Sequence, residues 1–398
     1  MRSVLVSPAW PPERVHNGVV TYVARLAEPM RDEGIDVRIV AQSVDDDVLD
    51  AVARDGVVAL DAVSNHPAHR AKMFLKRRID PHDAFLAHKR WQLARALRQL
   101  DRERQVDTYE IEEAFGIGRD LVGRAPGKQI IRLHGPWFLC IPALGIDRNA
   151  LDNVKRVEWE GDSIRRCDGL SSPSKFALDA VRRRYEVDLP NAAVIPNAMP
   201  LADDVWTRER ATPNSILFIG RFDRLKGADT VIEAYARLRA QRPDVTLTFV
   251  GPDRGFPDGT GIEDFVARTL SPEQRAGFTW TGSQTPQQIT KMRPTHAVTV
   301  VASRYETFPM TALEALAAGS PVVGSRAGGI PEALDWADDL RFEPGDAEGL
   351  AARVGALFDA PERAAELGAR GREICEERYS PRAVAHATAE LHRAVAFG

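Results

Sequence analysis

Two glutamates in the stretch "SRYETFPMTALEALAAGSPVVGSRAGGIPE" (303–332) have side chains suited to binding a sugar. Glu306 and Glu314 are separated by seven residues, and each carboxylate can accept hydrogen bonds from two neighbouring hydroxyls. The same two acids can also be read as surface charges that complement the dipole of a helix. The stretch on its own leaves both interpretations open.

The pattern around the glutamates predicts a strand, a loop and then a helix from about Pro309 to Ala318. Glu306 then lies in the loop and Glu314 on the second turn of the helix, so the two can bracket one spot near the helix start. Free backbone N–H groups, expected at 309–311, would favour a phosphate at that spot.

Two cations follow an earlier predicted strand, in "GRFDRLKG" (220–227). Arg221 offers a bidentate fork and Lys226 a point charge, which is the pair of groups that suits a phosphate. A solvated surface loop would explain the same residues if the motif stood alone.

Three further features lie near predicted strand ends. Gly328-Gly329 would let the backbone approach a ligand closely. His134 ends the buried stretch "QIIRLHG" (129–135), and Asn17-Gly18 comes just before a predicted helix. Each feature is weak evidence by itself, since strand-end histidines and glycine turns are often structural.

These residues need strands to bring them together. Short apolar runs of strand length alternate with longer amphipathic stretches, which predicts parallel sheets built from βαβ units. The predicted strands cover 3–7, 36–41, 129–135, 192–197, 215–220, 246–251, 297–303 and 321–325. Ligands of such sheets bind beyond the carboxyl ends of the strands, where the residues above fall.

The length of 398 residues fits two domains. We predict an N-terminal doubly wound domain over 1–198, a linker over 199–213 and a C-terminal doubly wound domain over 214–379, facing each other across a cleft. A last helix over 380–398 is a candidate to pack back on the N-terminal domain. Residues 65–104 form a basic, helix-prone insertion split by Pro81.

The aromatic and aliphatic residues of this insertion are most simply core contacts of two helices, although a peripheral membrane or acceptor-binding surface is the alternative. They are Phe74, Leu75, Phe85, Leu86 and Trp91.

Composition limits the class of protein. The formal net charge of −4 argues against general nucleic-acid binding. The three cysteines have no metal-ligand spacing and are read as reduced thiols, and prolines interrupt the apolar start before a signal-peptide core. We therefore expect a cytoplasmic protein without a metal site; the oligomeric state stays open.

Taken together, the motifs resemble those of the family 4 glycosyltransferases, which have the GT-B fold. The resemblance runs in order through "GRFDRLKG", "FVGPD" (249–253), "TGSQTPQQI" (281–289), the Glu-x₇-Glu stretch and "AGGIPE". In the N-terminal half it rests on Asn17-Gly18, "RLHGP" and "VIPNAM".

The resemblance implies a role for each matched residue. Arg221 and Lys226 correspond to the clamp on the donor diphosphate, Glu314 to the glutamate on the ribose, and Glu306 to the glutamate beside the donor sugar. His134 corresponds to a histidine that contacts that sugar. Catalysis is thus expected of Glu306, His134, Arg221 and Lys226.

Donor binding is expected from a wider set that surrounds the same loops. These residues are Asn17, Gly18, Gly220, Arg221, Lys226, Gly251, Thr307, Phe308, Pro309, Met310, Thr311 and Glu314. The sequence departs from the common family pattern at Asn17, Thr307, Pro309 and Ala198, where glycine is frequent.

The activity that the resemblance implies is retaining transfer of a hexose-type sugar from a nucleotide-sugar, most often a UDP-sugar, to an acceptor hydroxyl. The nucleotide-sugar is a co-substrate, and no cofactor is expected. The acceptor is a glycan, a lipid-linked glycan or a small natural product. An epimerase or phosphorylase of the same fold, or a non-catalytic sugar-nucleotide-binding protein, is the alternative.

Overall fold

The computed structural model describes residues 1–15, 17–54, 56–60, 78 and 80–398. The described chain forms two compact units. The N-terminal unit comprises Met1–Trp137, Asn149–Ala198 and Pro381–Gly398, and the C-terminal unit comprises Phe138–Arg148 and Met199–Ser380.

A parallel sheet of seven strands forms the centre of the N-terminal unit, in the order β3-β2-β1-β4-β5-β6-β7. The strands are β1 (Arg2–Ser7), β2 (Asp36–Ala41), β3 (Val57–Ala59), β4 (Thr108–Glu112), β5 (Lys128–Arg132), β6 (Gly169–Ser172) and β7 (Ala192–Val194). The strand order reverses between β1 and β4, which makes that position the switch point of the sheet.

The helices of this unit follow the strands in βα alternation. They are α1 (Gly18–Asp32), α2 (Leu49–Arg54), α3 (Pro81–Glu103), α5 (Leu151–Arg166), α6 (Lys175–Tyr185) and the C-terminal α15 (Pro381–Phe397). Helix α15 shares a buried cluster with α1 in which Leu26, Met30 and Val384 take part.

The C-terminal unit is built around a six-stranded parallel sheet in the order β10-β9-β8-β11-β12-β13. Its strands are β8 (Thr212–Ile219), β9 (Thr246–Val250), β10 (Phe278–Trp280), β11 (His296–Val301), β12 (Val322–Ser325) and β13 (Arg341–Phe342). The switch point of this sheet lies between β8 and β11.

Helices cover both faces of this second sheet. The described helices of this unit are α4 (Trp137–Leu144, which starts in the N-terminal unit), α7 (Ala228–Gln241), α8 (Ile262–Thr269), α9 (Pro272–Arg275), α10 (Pro286–Met292), α11 (Met310–Ala317), α12 (Ile330–Ala333), α13 (Ala347–Asp359) and α14 (Pro361–Tyr379). Short 3₁₀ turns lie at Asp46–Val48, Ala114–Gly116, Arg293–Thr295 and Asp338–Leu340.

The two faces can be told apart by neighbouring residues of β11. Val300 belongs to a buried cluster with residues of α7 and α13, whereas Val301 packs in a second cluster with residues of α11 and α14. Because successive side chains of a strand point to opposite faces, the sheet is sandwiched between helices.

The prediction of two doubly wound parallel α/β units is confirmed. Strands β3, β4, β6, β10 and β13 were not predicted. The omission of β4 matters most. This strand, with the sequence "TYEIE", pairs with β1 at the switch point and contains two glutamates.

The segment that the sequence suggests as a linker is hydrogen-bonded to the C-terminal unit. Met199 N–H donates to the carbonyl of Tyr379 at 2.7 Å and Trp206 N–H to that of Ala318 at 2.8 Å. The segment Phe138–Arg148 also groups with this unit, where Arg224 donates to carbonyls of α4 at 2.8 Å.

Part of the basic insertion is described. Pro81 is the first residue of α3 and Asp80 caps the helix, accepting from Asp83 N–H at 3.0 Å. Leu86 is buried as predicted, but Phe85 is 59% exposed, so the expectation of a core contact is wrong there. Phe74 and Leu75 lie outside the described residues. Among the described helices, none combines the length and apolar character needed to cross a bilayer.

Candidate active site

Two loops leave the carboxyl edge of the six-stranded sheet at its switch point. One follows β8 and covers residues 220–227, and the other follows β11 and covers 302–309. Because β8 and β11 are hydrogen-bonded neighbours, the predicted cations and the first predicted glutamate are brought to one place.

The first of these loops is organised by Asp223, a residue that the sequence analysis did not select. Arg221 Nε donates to Asp223 Oδ2 at 2.6 Å, and the backbone N–H of Lys226 donates to Asp223 Oδ1 at 2.8 Å. The Asp223 side chain is 10% exposed, whereas that of Arg221 is 42% exposed. The aspartate thus fixes the loop and leaves the guanidinium accessible.

Lys226 and Glu306 form an ion pair across the two loops. Lys226 Nζ lies 2.5 Å from Glu306 Oε1, and Ser303 Oγ donates to the same oxygen at 2.7 Å. Both charged side chains are partly exposed, at 25% and 19%. The pair is therefore reachable by a ligand that offers an anion to the lysine and hydroxyls to the carboxylate.

Arg304 ties the second loop to the first. Its guanidinium makes two bonds of 2.7 Å to the carboxylate of Asp229 at the start of α7, and its Nη1 also donates to the carbonyl of Arg224 at 2.9 Å. Such a bidentate pair fixes direction as well as distance. Arg304 and Asp229 therefore hold the Lys226 loop in register with Glu306.

The paired glycine, Gly328-Gly329, packs against the backbone of Glu306. Gly328 has φ +57°, and a Cβ there would lie 2.1 Å from the carbonyl oxygen of Glu306. Gly329 N–H donates to that oxygen at 2.8 Å. The glycines thus allow close approach to the backbone of Glu306, which they hold in place.

Glu314 lies on α11, as predicted, and pairs with Arg293, which precedes β11. The Arg293 side chain is 5% exposed, while Glu314 is 33% exposed. Arg293 Nε is buried without a hydrogen-bond partner among the described residues. The arginine orients the carboxylate and leaves part of it open to solvent.

The start of α11 differs in detail from the prediction. Pro309 is the N-cap and not the first helical residue, and having no N–H it cannot donate to a phosphate. The free donors therefore begin at Met310 and Thr311. Among the described residues, none caps this helix start with its side chain.

Two predicted donor-binding side chains belong to the core. Thr307 is 4% exposed and its hydroxyl lies 3.0 Å from that of Tyr305. Phe308 is 6% exposed and packs edge-on against Tyr379. Any contact of residues 307 and 308 with a donor would come from the backbone.

Two glycines at the carboxyl edge of the sheet, Gly227 at the end of the first loop and Gly251 after β9, are required by packing. A Cβ on Gly251, which has φ +147°, would lie 2.0 Å from the carbonyl oxygen of Gly220, and a Cβ on Gly227 would lie 2.0 Å from that of Ala302. The ends of β8, β9 and β11 thus approach one another backbone to backbone.

The N-terminal candidates lie in the other unit. Asn17 is the N-cap of α1, where its Oδ1 accepts from Val19 N–H at 2.8 Å. A Cβ on Gly18 would have no neighbour within 4 Å among the described residues. The common glycine at position 17 is thus replaced by a good capping residue without strain, and the space at Gly18 is open.

His134 lies two residues beyond β5, partly buried. Its ring packs edge-on against Tyr22, with 5.2 Å between ring centroids. Burial and the neighbouring charge of Arg132 lower the pKa of His134 to about 3. The imidazole is therefore neutral at physiological pH and suits a hydrogen bond better than a charge interaction.

The structure joins three of the four predicted catalytic residues, Arg221, Lys226 and Glu306, in one network. It places Glu314 in a separate ion pair of the same unit, and Asn17, Gly18 and His134 in the N-terminal unit. Sequence reasoning missed Asp223, Ser303 and Arg293. Asp223 and Ser303 could have been found inside the quoted motifs, whereas Arg293 has no local signal.

Within the described part of the chain, no group of three or more His, Cys, Asp or Glu side chains is arranged to hold a metal ion.

Two family models match consecutive parts of this chain. The model of glycosyltransferase family 4 matches residues 16–203, and the model of glycosyl transferases group 1 matches residues 204–374. The boundary between them falls close to the boundary between the two structural units.

Curated relatives carry the names of carbohydrate synthases and of a glycosyltransferase. The glycogen synthase of Mycobacterium tuberculosis (strain CDC 1551 / Oshkosh) is 29% identical over 59% of this chain and 56% of its own length. The alpha-maltose-1-phosphate synthase of Mycolicibacterium smegmatis is 33% identical over 59% and 65%. The D-inositol 3-phosphate glycosyltransferase of Segniliparus rotundus is 26% identical over 55% and 50%. The matches thus span about half to two thirds of these relatives.

Solved structures show the same fold over nearly the whole chain. The sucrose-phosphate synthase of Thermosynechococcus elongatus superposes with a TM-score of 0.73 at 21% identity, covering 99% of this chain and 98% of that one. Anabaena HepE in complex with UDP-glucose gives 0.69 at 16% identity, covering 98% of each chain. These structures show the GT-B fold, and because the two family models together match residues 16–374, the chain belongs to glycosyltransferase family 4.

Proposed function

We propose that this protein is a retaining glycosyltransferase that moves a hexose-type sugar from a nucleotide-sugar to an acceptor hydroxyl. The observation that carries the proposal is the network of Arg221, Asp223, Lys226 and Glu306 at the switch point of the six-stranded sheet. Doubly wound sheets bind their ligands at this position. Partly exposed cations beside a partly exposed carboxylate suit a ligand that is both phosphate and sugar.

The departing nucleoside diphosphate gains negative charge as the bond to the sugar breaks. Arg221 and Lys226 face that charge as side-chain cations, and the N–H groups at the start of α11 add the positive end of a helix. Because these groups are fixed beforehand by Asp223 and Arg304, little reorganisation is needed when the charge develops.

The carboxylates are assigned to the neutral parts of the donor. Glu306 accepts hydrogen bonds from hydroxyls of the transferred sugar, and Glu314 accepts them from the ribose. Without a donor, Lys226 and Ser303 occupy Glu306 Oε1. The donor's phosphate and hydroxyl groups would replace part of that contact with an equivalent set of charges and hydrogen bonds.

The proposed reaction is attack on the front face of the sugar. The bond between the anomeric carbon and the phosphate oxygen breaks, the acceptor oxygen bonds to the anomeric carbon from the same face, and the acceptor proton passes to the departing phosphate. Glu306 is not assigned as a covalent nucleophile, because one of its oxygens is already held by two donors. No metal is assigned, since two side-chain cations and a helix start serve the diphosphate.

A UDP-sugar is the proposed donor, and a glycan, lipid-linked glycan or small molecule the proposed acceptor. The solved relative that binds UDP-glucose supports the first, and the names of the glycogen and maltose-1-phosphate synthases support a carbohydrate acceptor. We place the protein in the cytoplasm, with peripheral membrane contact through 65–104 as part of the proposal; the exposed Phe85 supports such a contact.

A thermal-shift screen of UDP-, GDP- and ADP-sugars tests the donor assignment, since a ligand that binds the native state raises the melting temperature. We expect one class of nucleotide-sugar to raise it and the others to act weakly. The positive donor is then incubated with carbohydrate acceptors, and the product's anomeric configuration is read by NMR.

Retention of configuration supports the proposal, and an inverted product contradicts the mechanism. A changed sugar in the absence of acceptor would indicate an epimerase instead. Absence of any shift by all three nucleotide classes would contradict donor binding itself.

A further inference from the structure

The loop that carries His134 has an unusual set of hydrogen-bond partners. It runs through His134, Gly135, Pro136 and Trp137, and proline has no N–H to donate. Each of the other three N–H groups donates to the carboxylate of a glutamate from another element. The whole donor capacity of this loop backbone is thus taken by two acidic side chains.

Glu113 supplies the first carboxylate. It follows β4 directly and is fully buried. Its Oε2 accepts from His134 N–H at 2.9 Å and its Oε1 from Gly135 N–H at 2.6 Å. One side chain therefore fixes two successive peptide groups, including the one that sets the direction of the His134 Cα–Cβ bond.

Glu160 of α5 supplies the second carboxylate and is also fully buried. Its Oε2 accepts from Trp137 N–H at 2.8 Å, while its Oε1 accepts from Phe115 N–H at 3.3 Å and from Arg156 Nε at 2.9 Å. The same side chain thus connects the end of the His134 loop to the segment after β4.

The supports of both carboxylates are rigid. The Arg156 guanidinium lies over the rings of Phe115 and Trp137, at 3.9 Å from each centroid. Gly116 has φ +59°, and a Cβ there would lie 2.2 Å from the carbonyl oxygen of Trp159, so the segment after β4 packs directly on α5. Neither glutamate can move without displacing a packed element.

Two buried carboxylates close to each other are costly for a fold. Burial and the charge of Glu160 raise the pKa of Glu113, and burial also raises the pKa of Glu160. Well-packed apolar residues often serve stability as well as buried charged groups do. The arrangement is therefore better explained by what it orients than by what it stabilises.

We propose that Glu113 and Glu160 are positioning residues. Together they form a carboxylate clamp that sets the orientation of the His134 imidazole toward the donor sugar. The clamp acts through His134 and does not itself touch substrate. This inference rests on the proposed function and on the role that the family resemblance implies for His134, a contact with the donor sugar. The edge-on contact with Tyr22 restrains the ring from the other side.

The test compares Glu113→Gln with Glu158→Gln in the full-length protein. The first keeps the size of the side chain but turns an NH₂ group toward one of the two backbone N–H donors. The second removes an exposed charge of the same helix that carries Glu160. We expect kcat to fall about tenfold in Glu113→Gln, as for a misplaced catalytic contact, with an unchanged dissociation constant for UDP, and no change in Glu158→Gln.

A double-mutant cycle separates positioning from general loosening. In the background of His134→Ala, adding Glu113→Gln should leave kcat unchanged, because the group through which the clamp acts is gone. Equal losses in the two backgrounds would overturn the proposal. If Glu113→Gln does not fold, the same cycle with Glu160→Gln gives the decision.

Amide hydrogen exchange adds a readout that does not depend on activity. The peptide containing Gly135 and Trp137 should exchange faster in Glu113→Gln and Glu160→Gln than in the wild type, with other core peptides unchanged. Unchanged protection of that peptide overturns the clamp. If the exchange result holds while the wild type shows no sugar transfer, the proposed function fails and not the contact.

Discussion

The two sheets have the same order around their switch points and use them differently. At the C-terminal switch point, Arg221, Lys226 and Glu306 are partly exposed; Arg221 pairs with Asp223, and Lys226 pairs with Glu306. At the N-terminal switch point the ionisable groups are withdrawn: Glu110 beside Tyr22 is buried, and the pKa of His134 is lowered to about 3 by burial.

The contrast shows how one topology can serve two chemical tasks. Partly exposed charges held by ion pairs can exchange partners with a phosphate at small desolvation cost. A partly buried, neutral imidazole offers a directed hydrogen bond without attracting anions. We therefore expect substitutions in the C-terminal unit to affect binding and charge stabilisation, and those in the N-terminal unit to affect orientation.

The largest expected effect is that of Lys226→Ala. If Lys226 faces the departing diphosphate as proposed, removing this cation should lower turnover by about 100-fold or more, as losing a transition-state charge contact does. Initial-rate kinetics with a nucleotide-sugar measure it. The matched control is Lys291→Ala, an exposed lysine on α10, and near-normal turnover in Lys226→Ala would contradict the diphosphate assignment.

The second comparison concerns the stability cost of replacing one glycine in each unit. Gly328→Ala should destabilise the fold by about 2 kcal/mol, because the residue has φ +57° and its new Cβ would meet the Glu306 carbonyl at 2.1 Å. Gly18→Ala should change stability by less than about 0.5 kcal/mol, since no atom of the described part of the chain lies within 4 Å of its Cβ. Urea unfolding midpoints measure both. Equal losses would remove the distinction between a glycine needed by the fold and one that leaves room for a ligand.

Glu314→Ala should weaken the binding of UDP by about tenfold, the value of one hydrogen bond to a charged group. Calorimetry of UDP binding measures the change. Glu306→Gln is the informative partner variant, because its carboxylate is assigned to the sugar, and UDP lacks that sugar. An unchanged affinity in Glu314→Ala, or an equal loss in Glu306→Gln, would contradict the division of roles.

The smallest effect concerns pH. Because the native pKa of His134 is about 3 and the unfolded value is about 6.5, the unfolded chain binds more protons between those values. His134 therefore lowers stability as the pH falls below about 6.5. The free energy of unfolding should fall between pH 7 and pH 5 in the wild type. In His134→Gln this fall should be smaller by about 1 kcal/mol, after allowance for solvent screening.

Chemical denaturation at the two pH values measures this difference. A loss that is the same in the wild type and in His134→Gln would show that the imidazole is not withdrawn from water as the structure places it.

The fold and the C-terminal loops were largely predictable from the sequence. Apolar runs such as "SILFIG" mark buried parallel strands by themselves, and the loops that follow them fall at the sheet edge where ligands bind. The helix that carries Glu314 was placed within a residue of its observed start and end, because a proline and a glycine mark its limits.

Strand β4 could not be predicted in the same way. Its carboxylates break the apolar pattern, and their burial depends on partners far along the chain: Tyr22 donates to Glu110 at 2.8 Å, and His392 of the last helix lies 3.4 Å from it. The partners of Glu314 and His134 were missed for the same reason. Arg293, Glu113 and Glu160 gain their roles only when distant elements pack together.

The central claim is that the C-terminal switch point binds the diphosphate of a nucleotide-sugar through Lys226. Calorimetry of UDP and UMP binding to the wild type and to Lys226→Ala tests it most directly. We predict that the wild type binds UDP at least about tenfold more tightly than UMP, the effect of one charge-assisted contact, and that the preference largely disappears in Lys226→Ala. Equal affinities for UDP and UMP in the wild type, or a preference that survives the substitution, would contradict the claim.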